Sequence, residues 1–139
     1  MAKIILKDAT VIINAVTLST RVKSVTINSS TNLVDTTSMQ PTGSAIERMP
    51  GLNDWSIDAE FYNDEASSNV NATLFPLQGA AAFTIEVRPG SGGRSTTNPG
   101  YTGSALLESF TPLSGNVGDA AMAPAKFSNA GSALSRATT

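Results

Sequence analysis

From residue 54 to residue 62 the chain alternates without a slip. Trp55, Ile57, Ala59 and Phe61 fall on one side of an extended backbone, and Asp54, Ser56, Asp58, Glu60 and Tyr62 fall on the other. A helix would scatter these side chains around its circumference. Strict period two instead marks an antiparallel strand with one face on a core and one face polar. Burying Trp55, Ile57 and Phe61 would contribute about 1.5–3 kcal/mol each, enough to make this strand the centre of the fold.

Other segments follow the same rule more weakly. Residues 82–88 alternate with Phe83, Ile85 and Val87 inward, and residues 23–28 place Val25 and Ile27 on one face. Residues 4–6, 10–14, 101–110 and 120–127 also read as strands, and 18–22 as a single helical turn with Ser19 as its cap. One longer helix is expected at 67–77. Ser67 or Ser68 can cap it, Val70, Leu74 and Leu77 recur at i, i+4 and i+7, and Pro76 limits its length. The expected class is mainly β: an antiparallel β-sandwich or barrel with one short flanking α-helix and a long extended arm loop. The expected core is Trp55, Ile57, Phe61, Leu74, Phe83, Ile85, Val87 and Phe127.

The arm is residues 31–53, where turn chemistry surrounds weakly apolar pieces and Pro50-Gly51 closes the stretch. Compact domains rarely carry so long a loop without a use for it. A surface excursion is one account. The other is an arm that orders on a neighbouring subunit, with Asp35, Thr37, Met39, Gly43, Ile46 and Arg48 as its contact residues. Residues 89–100 form a polar loop. Residues 129–139 read as a tail in which Leu134 is the one large apolar side chain. The 139 residues fit a single domain, long enough to bury roughly two-thirds of its unfolded surface.

Composition narrows the chemistry. The chain has no cysteine and no histidine, which removes disulfides, thiolate metal sites and the commonest general base and metal ligand. Asp54, Asp58, Glu60 and Asp64 invite a calcium reading, but the glycine and distal glutamate of an EF-hand loop are missing. The run from Arg88 to Ser95 lacks the Gly-Lys-[Ser/Thr] ending of a phosphate loop and reads as a hairpin loop. No cofactor, metal or catalytic residue is expected, and an enzyme is the least favoured class. Nine basic and eleven acidic side chains include no basic stripe for gripping nucleic acid. Charged residues make up only 14% of the chain, against an average of roughly 25%, which suggests a surface covered by copies of itself. No apolar stretch approaches a membrane span, and the start is too soon interrupted by charge for a secretory signal. Synthesis in a cytoplasm and no membrane partner are the expectation.

The run from Gly51 to Asp64 resembles a stretch of the siphophage major tail tube protein family. Similar echoes follow in order at residues 71–77, at 83–89 ending in Val87-Arg88-Pro89, at 98–103, at 115–119 and at 134–138, with a further one upstream at 35–39. The resemblance implies a fold related to the type VI secretion tube protein. It implies subunits that form hexameric rings, stacked into a hollow virion tail that conducts the genome into a host bacterium. Neighbouring sheets would join around the lumen, and long loops and termini would lock successive rings. Partners would be the chain itself, a tape measure, a tail terminator and a baseplate or tip, with DNA only as passing cargo. Such a lumen should be neutral to acidic, because lysines would grip the passing phosphates. Asp54, Asp58 and Glu60 are the candidate lumen face. The alternatives are a receptor- or carbohydrate-binding virion β-domain, for which Tyr62 and Tyr101 are the few aromatic candidates, and a capsid-decoration or tail-completion protein.

Overall fold

A computed structural model describes residues 3–40, 42–65 and 69–139, with the Thr42 side chain left aside. Eight strands form one antiparallel sheet: β1 Thr10–Ile13, β2 Val16–Thr17, β3 Val22–Asp35, β4 Arg48–Tyr62, β5 Phe83–Arg88, β6 Gly100–Phe110, β7 Met122–Asn129 and β8 Ser135–Ala137. The spatial order is β2-β1-β5-β6-β7-β4-β3, and β8 adds to β6. The first half of β6 pairs with β5 and β8 and its second half pairs with β7, with a register shift between Leu107 and Ser109. A bulge of this kind bends a strand and raises its twist. The buried side chains form a single core, and Phe83 of β5 packs edge-on to Phe127 of β7 at 5.9 Å between ring centres. This is a β-sandwich-like architecture, mainly β with a short helix.

The eight side chains expected in the core are all buried: Trp55, Ile57, Phe61, Leu74, Phe83, Ile85, Val87 and Phe127. Trp55 reaches furthest. It crosses the end of β7 to lie on β6, where a Cβ at Gly103 would sit 2.6 Å from the indole ring, so only glycine fits. The indole N–H donates to the Ser132 carbonyl at 2.8 Å. The helix is α1, Val70–Leu74, continued by a 3₁₀ turn at Phe75–Leu77. Val70 and Leu74 bury completely, and Gln78 then bridges in parallel to Leu107. The expected caps Ser67 and Ser68 lie outside the described residues.

Three local expectations are corrected. Residues 4–6 form no strand; Ile4, Ile5 and Leu6 stay largely exposed, because nothing in the subunit pairs with them. The turn at Ser19–Arg21 carries no side-chain cap, and Ser19 Oγ instead accepts the Val11 N–H at 3.0 Å. The segment read as a tail contains β8, whose Ser135, Arg136 and Ala137 pair with Thr102, Tyr101 and Gly100. Its residues are too few and too polar to show a period. They are held because the edge of β6 beyond β7 is otherwise open.

Candidate functional site

Two surfaces stand out, both built on β3 and β4. From Val22 to Asn28, β3 lies against the part of β4 that also pairs with β7. Pairing between β4 and β7 stops at Ser56. Beyond it β3 and β4 continue alone, from Ser30↔Asp54 through Leu33↔Pro50 and Val34↔Met49 to Asp35↔Arg48, with a bulge between Thr31 and Leu33. Residues 31–53 are thus a two-stranded ribbon capped by a loop, where the sequence suggests turns. Every described residue on its strands is exposed. Having no buried face, it shows no hydrophobic period to read.

The tip is closed by specific bonds. Thr36 N–H donates to the Glu47 carbonyl at 2.9 Å, and Glu47 N–H donates to Thr37 Oγ1 at 2.8 Å. The side-chain and backbone donors of Thr37 hold the Asp35 carboxyl below its ordinary value. Gly43 and Ser44 both adopt positive φ, at 72° and 57°. Met39 is 99% exposed and Ile46 61%, while Leu33, Val34, Met49 and Leu52 expose apolar side chains along the ribbon. Arg48, the last of the expected contact residues, pairs across from Asp35 at the ribbon's outer end. An isolated two-stranded ribbon is at best marginally stable in water, and this one has only its continuity with the paired part of β3 and β4 to hold it.

The second surface is the outer face of β3, β4, β7 and the end of β6. Asp54, Asp58 and Glu60 all project there and are exposed. Asp58 accepts from Asn28 Nδ2 at 3.2 Å, Glu60 from Ser24 Oγ at 3.4 Å, and Asp54 from the Asn129 amide. Glu108, which the sequence reading did not single out, joins them. It accepts from Ser128 Oγ at 2.7 Å and pairs with Lys126 at 3.3 Å, and these two neighbours lower its pKa, Ser128 most. The face therefore sets Asp54, Asp58, Glu60 and Glu108 against the single Lys126, an acidic balance. A shallow open groove of about 330 Å³ crosses it between Ser24, Asp58, Glu60, Ser109 and Lys126. Among the described residues no group of three or more acidic side chains is placed to share a cation. Nor, among them, is any helix long and apolar enough to cross a membrane.

The Gly-rich loop at 89–98 is organised by one side chain. Asn98 accepts the Gly90 N–H at 2.8 Å and donates to the Gly92 and Gly93 carbonyls at 2.8 and 3.1 Å. Its carbonyls, not its amides, converge, which suits a loop clasp and not an anion. Beside it Glu86 is buried between Arg88, at 3.3 Å, and Arg94.

No protein-family model matches the sequence, and no curated protein matches it significantly. Solved structures do share the fold. A chain in the tail of an empty gene transfer agent particle, determined by helical refinement with C6 symmetry, superposes with a TM-score of 0.65 at 19% identity, over 84% of this chain and 81% of that one. A chain in the virion of a native gene transfer agent particle superposes with a TM-score of 0.70 at 18% identity, over 93% and 95%. At such identities the likeness is one of fold.

Proposed function

We propose that this chain is the repeating structural subunit of a phage-like tail tube, assembling into rings that stack around a conduit for DNA. The observation that carries the reading is the bare ribbon of residues 31–53. It exposes apolar side chains on a two-stranded ladder that water alone does not support, so another copy must cover it. In this reading the ribbon is the inter-ring arm, and Asp35, Thr37, Met39, Gly43, Ile46 and Arg48 make its contacts. The acidic face of Asp54, Asp58 and Glu60 lines the bore, where like charge keeps the passing polyanion sliding. The shared fold with chains of gene transfer agent tails and virions supports this, and the C6 symmetry of one of those tails makes six the expected number of subunits per ring. Head-to-tail contacts close into a ring and leave its two faces free to stack. Tape-measure, terminator and tip proteins would then be the further partners, and the function would reside in interfaces and not in an active site.

Negative-stain electron microscopy of the purified chain tests the reading. Tubes or rings with a central hole are expected. Discrete trimers or monomers at high concentration would overturn it in favour of a decoration or receptor-binding domain.

A further inference from the structure

The acidic outer face carries one cation near its middle, Lys126 of β7, flanked by β4 on one side and β6 on the other. Leu107 pairs with Phe127 and Ser109 with Lys126, so β6 holds one residue more than β7 between these points, and that residue is Glu108. From Leu107 to Phe110 the burial runs buried, exposed, exposed, buried, so Glu108 and Ser109 both turn outward against Lys126. Bulges re-aim side chains in this way. Both carboxylate oxygens of Glu108 are engaged by successive outward residues of β7. Ser128 Oγ donates to one at 2.7 Å, and the Lys126 ammonium sits 3.3 Å from the other.

The other three carboxylates of the face have neutral partners. Asp54, Asp58 and Glu60 accept from Asn129, Asn28 and Ser24. Asp58 stands across from Lys126 on β4, yet among the described residues the ion pair of Lys126 is with Glu108 alone. Lys23, on the edge strand, lines the adjoining groove against residues 6–9. An ion pair whose side chains are 42% and 52% exposed adds little to folding stability. Its larger effect is on the charge that the face presents. To a sliding polyanion a free ammonium is an obstacle, since it replaces a phosphate counterion and recurs with every subunit along the path.

We propose that Glu108 is a masking residue, which holds the Lys126 ammonium and so keeps the one cation in the middle of the acidic face from gripping passing DNA. This deepens the tube reading and rests on it, and on that face lining the bore.

Glu108→Gln keeps the size of the side chain and an acceptor for Ser128 but removes the charge. Tubes of each variant are assembled with linear duplex DNA, treated with nuclease to clear their exterior and washed at low salt, and the protected DNA is measured. Glu108→Gln tubes should retain several-fold more DNA than the parent and release the excess in high salt. Adding Lys126→Gln should return retention to the parent level. Glu60→Gln removes the same charge from the same face without touching the ion pair, and should raise retention much less. Equal retention by the Glu60 and Glu108 variants would overturn masking in favour of a general field. Parental retention by Glu108→Gln would overturn it as well, and the Asp54→Lys, Asp58→Lys, Glu60→Lys variant then separates the two readings. If that variant grips DNA, the acidic bore stands without the mask; if it does not, the face lies outside the bore and both fall.

Discussion

Gly103 shows how tightly one residue can be specified. The Trp55 ring occupies the space a Cβ would need, and its hydrogen bond to the Ser132 carbonyl holds the indole in that place. Gly103→Ala should therefore destabilise the subunit by about 1–3 kcal/mol, the usual cost of overpacking, read from urea denaturation. Glu108 offers a pH handle. Its carboxyl titrates below the ordinary range because Ser128 and Lys126 favour the charged form. A depressed folded-state pKa stabilises the fold above the unfolded value, and that contribution is lost as the pH falls through the lowered one. Glu108→Gln should lower stability slightly near neutrality, where the charged carboxylate makes its full contribution, and converge with the parent in melts taken down to about pH 3.

At the scale of elements, the ribbon and the body answer to different forces. Among the described residues, deleting 37–44 removes no buried side chain and no pairing with β7. Such a variant should melt within a few degrees of the parent yet form no long tubes by electron microscopy; normal tubes would count against the arm. Legibility divides along the same line. Strands with a buried face announce themselves by period, as Trp55 to Phe61 and Phe83 to Val87 do. The ladder at 31–53 is silent because its side chains contact solvent on both faces, so nothing selects alternation. β8 is silent because three residues cannot display a period. Residues 4–6 show the converse: strand propensity is written in the sequence, but propensity without a partner makes no ladder.

Across the whole molecule, charge is sparse but sorted. The outer face of β3, β4 and β7 carries Asp54, Asp58 and Glu60 with little to neutralise them, while Arg88 and Arg94 gather around Glu86 on β5 and the following loop. If the acidic face lines the bore, replacing Asp54, Asp58 and Glu60 together with lysine should leave tubes intact but make them retain DNA, in a manner reversed by added salt. Retention assays on washed tubes would read this; a structure placing those carboxylates on the tube's exterior would remove the premise. The indole of Trp55 adds something of another kind. It is the one tryptophan in the chain, 3% exposed, and it sits where the paired body ends and the bare ribbon begins, tied to the segment that leads into β8. Emission excited at the red edge, where the indole absorbs and the two tyrosines do not, therefore comes from a single dry site at the root of the arm, and a stopped-flow fluorimeter could follow arm capture in real time without any attached dye.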